Sequence, residues 1–572
     1  MKLRAWALSV ALCTTSLYGA TVNDGGGRDV SIALFSTHTL RAVTMTPLGE
    51  HSWIARCARC SHESLTAPLH VATVIDIFAG GTLRVTDDVS GEARTASGLW
   101  HLRATKHGND TEIDVVVTLP SERYVAAVLN AEAANGEPGQ SLRALAILAR
   151  TYALNGSHFA AAPGHLAAEL CDSTECQAMR LEPPPHVVDD ATRTTAGETL
   201  WFRGRRAEVF FSQNCGGLTE DAGAVWPNLR GTQYLRSHAD PYCLLRDTAV
   251  WHAEVPLTRM EEIAHAQGWR LPSKVVSARV VERSASHRAL RVAFTGGDGT
   301  KAIVSATALR FGIGRALGWD RVRSDAYDLG MRNDALVFDG RGHGHGVGLC
   351  QAGSTEMAAK GKSTREILAF YFPGTAVRIA ATDEGWQESQ VGPILLRTTH
   401  LFSTERKGAL AQAWIEAQRR FSPRHAMMPE ITFAPTTEIF RQLTAQPGWA
   451  LASTHGNTII LQPETVLQAY GGGASGVLLH EMLHVLVEAE AREQAPLWLR
   501  EGLVEVLAGE SSKEIRTMSA TAIDDALRGT DSLQASQIAH HAAATRVQEL
   551  ISRYGASAVR GWLSSGIPAG VE

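Results

Sequence analysis

Residues 112–156, EIDVVVTLPSERYVAAVLNAEAANGEPGQSLRALAILARTYALNG, change their hydrophobic pattern part-way along. Up to Pro120 they are rich in β-branched and apolar residues, as in a strand. From Ser121 the run SERYVAAVLNAEA is helical, and SLRALAILARTYALNG is a longer helix with apolar residues at helical spacing. A strand feeding directly into two helices predicts an α+β fold. Glu132 stands near the end of the first helix, before the Gly136–Gly139 turn. Partial burial there would raise its pKa toward that of a useful acid. Taken alone, a glutamate at a helix end is more often a solvated surface residue.

Working outward, SIALFS, HVATVIDIFAG and TLRVTDD carry strand signals, so residues 21–120 form a β-rich part. The segment His165–Pro185 is loop-like, and strand signals return in GETLWFRGRRAEVFFSQN. A glycine-rich loop opens at Asp339, and a helix from Ser363 to Phe372 ends at FPGT, closing a region of residues 121–380. Residues 381–394, which span ATDEGWQESQVGP (381–393), read as a linker or a domain edge, and residues 395–572 begin with strand signals and continue mostly helical. At 572 residues the chain exceeds what one core holds, so a multi-domain molecule is expected.

Residues 1–20 read as an export signal: Lys2 and Arg4 precede the apolar AWALSVALCTTSLYGA, with small residues near Ala20. That run is too short for a convincing membrane anchor. Cys13 suggests a lipid acceptor, but Leu12 before it fits poorly, which favours cleavage near Ala20. The segment holds two of the 54 basic side chains and none of the 59 acidic ones, leaving 52 against 59 and a net charge of −7. An acidic balance without basic clusters argues against nucleic acid as a partner. Removing Cys13 leaves seven of eight cysteines, enough for three disulfides and one odd thiol in an oxidising compartment. Cys57 and Cys60 form a C-x-x-C whose plainer reading is a disulfide.

Near the C-terminus stand HEMLHVLVE (480–488) and APLWLREGLVEVLAG (495–509). On a helix, His480 and His484 leave the same face one turn apart and can grip one zinc ion. Glu481 is placed to polarise a metal-bound water, and Glu501, 17 residues after His484, offers a third ligand. Glu488 and Glu505 read as surface or supporting carboxylates, with Tyr470 and Tyr554 as unassigned donors. The competing reading is a buried helix whose histidines hydrogen-bond internally.

Four ordered blocks, LPSERYVAAVLNAEAANGEPGQSLRALAILARTYAL, CDSTECQ, FFSQNCGGLTEDAGAVWP and GRGHGHGVGLCQAGSTEMAAKGKSTREILAFYFPGT, resemble the stage II sporulation protein D family, whose relatives include amidase enhancers. The resemblance covers roughly residues 30–380. It implies a lytic transglycosylase acting on peptidoglycan glycan strands, with Glu132 as the catalytic acid. It also implies that His343, His345, Gln351, Asn214 and Arg150 contribute to the glycan groove. His343 stands where the family often carries an aromatic residue, so His345 is the firmer of the two. Some members bind a second zinc where His165, Cys171, Glu175 and Cys176 stand here; a Cys171–Cys176 disulfide is the alternative reading. Cys215, Cys243 and Cys350 lie in or near these blocks and would come close enough for one disulfide and one free thiol.

Residues 395–572 resemble the peptidase MA-like gluzincin metallopeptidases through HEMLH, WLREG and the preceding NTIILQP. This implies zinc held by His480, His484 and Glu501, with Glu481 as general base. The expected whole is an exported bacterial envelope protein acting on glycan strands with a zinc peptidase-like module. The alternative is a non-catalytic enhancer that recruits a cell-wall amidase beside an active zinc peptidase.

Overall fold

The computed structural model describes residues 29–571 apart from 49–53, 58–67, 73–74, 108–109, 134–135, 157, 162–163, 174–175, 246–249, 381–382, 384, 470–472, 493–494, 510–517 and 529–532. The expected export signal and Cys13 lie outside these residues, as do Glu175, Tyr470 and the side chains of the Cys57–Cys60 pair. Helices and sheets are mixed and the apolar side chains gather into several cores, so the chain is α+β and multi-domain. No helix among the described residues is long and apolar enough to cross a membrane.

The first core lies under an eight-stranded sheet whose central strands are Ile75–Asp87, Ala93–His107 and Asp110–Pro120, all antiparallel neighbours. Asp29–Leu34 pairs with Asp110–Pro120 and takes the short strand Leu170–Cys171 in parallel on its other side. The helices Ser121–Glu132 and Gly139–Leu154 cover one face, placing Val125, Leu129 and Leu145 against Val30, Ile32 and Val117. Gly139–Leu154 is apolar on nearly every side because it serves two cores. Its Ala144, Ile147 and Leu148 pack with Val209, Tyr234, Leu349 and Tyr371 in the second. There Phe211–Ser212 and Leu349–Cys350 pair in parallel, and the helix Gln351–Ala359 follows at once.

Residues 250–341 build a third core of their own. Val250–Pro256, Ala335–Arg341 and Tyr327–Arg332 form one three-stranded sheet; Val275–Arg283, Ala289–Gly296 and Lys301–Ser305 form another. Both ends of this insertion meet in one ladder, Val250 opposite Arg341.

The fourth core belongs to the C-terminal part. Its five strands run in the order Gln387–Val391, Ile394–Thr398, Glu430–Phe433, Thr458–Leu461, Ala452–His455, with helices Thr404–Phe421, Gly473–Glu490, Leu497–Ala508 and Leu533–Tyr554 packed around them. The expected linker at 381–394 is corrected here, because Gln387–Val391 is the edge strand of this sheet and turns back at Gly392. A polar edge strand with one half-buried face has the composition of a linker, which is why the sequence misleads. Just before it Trp386 docks on the first part, its Nε1 donating to the Ala196 carbonyl at 3.0 Å. Arg397 lies over the Trp386 ring at 4.3 Å and donates to the Thr194 carbonyl.

Candidate functional site

Glu132 is the last residue of Ser121–Glu132 and is half-buried. Gln351, at the start of Gln351–Ala359, donates from Nε2 to Glu132 Oε2 at 3.3 Å. Desolvation pushes the Glu132 pKa up; the Gln351 hydrogen bond opposes this, and the nearby Glu137 carboxylate adds to the rise. Glu137, buried, accepts from Ser141 Oγ at 2.6 Å and Thr355 Oγ1 at 3.4 Å. One face of Gln351–Ala359 thus serves both carboxylates, through Gln351 and Thr355. Sequence reasoning missed Glu137 and Thr355; the signal for Thr355 is its place one turn after Gln351 on the same helix.

The loop with His343 and His345 turns through Gly342, Gly344, Gly346 and Gly348, all at positive φ. At Gly342 a side chain would also meet the Asn214 carbonyl oxygen at 2.7 Å. His345 Nδ1 accepts from the Val347 N–H at 3.0 Å, and its ring packs edge-on to Trp226. Desolvation and the charges of Arg310 and Arg288 depress its pKa to about 3, so the ring is neutral. Desolvation also lowers the pKa of His343, with Arg323 and Arg310 adding to the fall. Neither histidine hydrogen-bonds Glu132, so among the described residues Gln351 alone holds that carboxyl.

Two residues expected in the groove are corrected. Arg150 is fully buried, grips Glu122 with two hydrogen bonds of 2.6 Å, and donates to the Glu198 carbonyl at 3.0 Å. Asn214 is buried too; its Oδ1 accepts from the Gly216 N–H at 2.8 Å and Cys243 Sγ at 3.0 Å. Both fix the fold beneath the site. The second-metal set is corrected as well. Cys171 and Cys176 are joined in a disulfide, so their sulfurs are not thiolate ligands, and His165 Nδ1 pairs with Asp114 at 2.7 Å. The expected disulfide among Cys215, Cys243 and Cys350 does not form; all three are free and buried.

A second centre lies in the C-terminal part, in a cavity of about 1780 Å³. His480 and His484 project from Gly473–Glu490 with their Nε2 atoms 3.1 Å apart, and Glu501 Oε2 stands 3.3 Å from His484 Nε2. Glu501 Oε2 is buried and lies within ion-pair distance of both the His484 and the His540 rings. Burial opposes its ionisation, but His484, His540 and His480 outweigh that and hold its pKa at about 2. His484, likewise desolvated, is raised to about 9 by Glu501 and the carboxylates of Glu481 and Glu488. One neighbour was not assigned from sequence. His540, on Leu533–Tyr554, lies with Nδ1 2.9 Å from Glu505 Oε1 and 3.6 Å from Glu501 Oε2. Glu505, read as a surface or supporting carboxylate, is buried and shares a ligand-like cluster with His480 and His540. Glu481 Oε2 accepts from Thr454 Oγ1 at 2.5 Å. Tyr554 packs against Trp562.

Residues 109–202 match the family described as SpoIID, stage II sporulation protein. Over 276 residues, 47% of this chain and 69% of the relative, the sequence is 28% identical to an uncharacterized protein of Brachyspira hyodysenteriae. It is 24% identical to stage II sporulation protein D of Bacillus subtilis over 275 residues, 46% of this chain and 75% of that protein. The amidase enhancer of Bacillus subtilis is 22% identical over 275 residues, 42% of this chain and 38% of that protein. The N-terminal region, with Glu132 inside the matched residues, is therefore similar to stage II sporulation protein D and to amidase enhancers.

Proposed function

We propose that this chain is an exported cell-envelope protein that cleaves peptidoglycan glycan strands as a lytic transglycosylase through Glu132. The observation that carries this reading is a desolvated carboxyl with a raised pKa, hydrogen-bonded to Gln351. Protonated Glu132 gives its proton to the glycosidic oxygen as that bond breaks. The carboxylate left behind takes the proton of the sugar's own C6 hydroxyl, whose oxygen closes onto C1. The products are a free hydroxyl end and a 1,6-anhydromuramic end, and no water is consumed. One carboxyl suffices, in contrast to hydrolysis with its paired carboxylates. Gln351 steadies the carboxylate between the two proton transfers.

We propose further that the C-terminal centre is a zinc metallopeptidase-like site. The donor set fits: two facing imidazole nitrogens and a carboxylate oxygen beside them, the chemistry of a two-His-one-Glu zinc site. His480, His484 and Glu501 would hold the ion, which when bound supplies Lewis acidity for amide hydrolysis. Glu481, held by Thr454, accepts the proton of the attacking water. Thr454 belongs to Ala452–His455, a sheet-edge strand lining the cavity, where an extended peptide finds unpaired backbone groups.

The similarity to an amidase enhancer supports a second reading, in which the N-terminal region binds glycan and recruits a cell-wall amidase. Mass spectrometry of glycans, with and without stem peptides, after incubation with the chain and its Glu132→Gln variant separates the two. Anhydro-ended products from the unsubstituted chain alone support the transglycosylase. No cleavage by either protein leaves the enhancer reading.

A further inference from the structure

Beneath the start of the helix that carries Gln351, four side chains from three separate segments converge. Cys215 follows the strand Phe211–Ser212, Asp240 and Cys243 flank the turn into the short helix Cys243–Leu245, and Cys350 ends Leu349–Cys350. All four are buried, and their sulfur and carboxylate oxygen atoms lie within 4.8 Å of one another. We propose that these residues form a structural metal site for a thiolate-preferring divalent cation, zinc above all.

Charge is the first argument. Asp240 is fully excluded from solvent, yet among the described residues no cation pairs with it. Tyr371 Oη and the N–H groups of Tyr242 and Cys243 donate to its oxygens at 2.8, 3.1 and 3.1 Å. Hydrogen bonds orient a buried carboxylate, but a nearby cation is the more effective compensation for its lost hydration. A divalent ion among three sulfurs and this oxygen would supply it.

Geometry is the second. Zinc–sulfur bonds of about 2.3 Å in a tetrahedron put the sulfurs about 3.8 Å apart, within the spread of the cluster. The third argument is the surrounding hydrogen bonding. The Cys215 N–H points at Cys350 Sγ at 3.2 Å and the Gly353 N–H at the same sulfur at 3.5 Å. Donors aimed at sulfur favour thiolate, the form that binds metal. Arg288, also buried, donates to the Cys215 carbonyl at 2.7 Å and places a positive charge beside an anionic centre. A disulfide between two of the cysteines would leave the third sulfur and Asp240 without a role.

Binding releases the thiol protons to solvent. The ion would tie together the turns after Phe211–Ser212 and before Gln351–Ala359. Because Gln351 is the residue after Cys350, the site would brace the amide that holds Glu132.

The test uses the full chain carrying His480→Ala and His484→Ala, so that the C-terminal centre does not contribute metal. This protein should retain about one equivalent of zinc, and cobalt substitution should give near-ultraviolet thiolate-to-cobalt charge-transfer bands. Adding Cys243→Ser or Cys350→Ser should abolish both. Since those cysteine variants can fail to fold, the decisive reading is the cobalt spectrum of the folded double-histidine variant. Absence of thiolate bands there overturns the proposal. So does non-reducing peptide mapping that finds a disulfide among Cys215, Cys243 and Cys350.

Discussion

A carboxyl whose folded-state pKa is raised holds its proton more tightly in the folded chain than in the unfolded one. Its favourable contribution is present below the unfolded pKa and is lost as pH rises through the folded value. Glu132 is such a group, so at neutral pH it is a net cost to stability. Glu132→Gln keeps an acceptor for Gln351 and removes that cost. Urea unfolding should show a gain of about 1 kcal/mol near neutral pH, shrinking as the solution is acidified toward about pH 4. A variant no more stable at neutral pH would mean that the site does not desolvate this carboxyl. Arg150 works in the opposite direction. Arg150→Ala leaves Glu122 without its bidentate partner and should cost about 3–5 kcal/mol. Arg150→Lys should recover only part, because an ammonium does not reproduce the two-pronged grip. If either variant instead unfolds like the parent in urea while losing only glycan affinity, Arg150 belongs to the groove after all. Helix period and a glycine turn put Glu132 at a helix end in the sequence, but its reading as the acid came from the family resemblance. Arg150 was not legible: a charged residue in an apolar helix gives no sign of whether it points to a groove or to a half-buried glutamate 28 positions away.

Among the elements, Leu497–Ala508 and Leu533–Tyr554 set the second centre by packing closely enough to bring His540 to Glu505. Gly502 permits that approach, since a methyl there would run into the Ala543 carbonyl oxygen. Gly502→Ala should therefore cost about 1–3 kcal/mol and weaken metal retention, measured by zinc content after dialysis against a chelator. Unchanged zinc retention would show that the helix spacing does not matter to the centre. Elements with a strong period, such as Gly139–Leu154, could be read directly, and so could the helix at 363–372, which carries a full capping box on Ser363 and Glu366. The insertion at 250–341 escaped notice for a different reason. VWHAEVP alternates cleanly, with every second residue buried, so the strand itself was readable. That these strands close on one another and not on the surrounding sheets is a non-local fact, and no local pattern carries it. His540 was missed likewise, because a histidine on a downstream helix shows its partners only once the helices are packed.

For the molecule as a whole, the junction at Trp386 and Arg397 decides whether the two halves behave as one. Trp386 Nε1 and the Arg397 guanidinium both end on carbonyls at the end of His186–Thr194 and just beyond it, and burial lowers the Arg397 pKa against the pull of Glu198. Trp386→Ala should split thermal unfolding into two separated transitions where the parent shows overlapping ones, as followed by calorimetry. Identical traces would show that the halves are already independent. The insertion offers a different kind of consequence. Its entry and exit, Val250 and Arg341, face each other across one rung of a ladder, roughly 5 Å apart. In genetic terms the unit has a single doorway: a reading frame could gain or shed it whole without stretching the chain on either side. Ser284 and Ser286, which donate to Glu220, and Arg288, which reaches the Cys215 carbonyl, are among the threads that such an excision would cut.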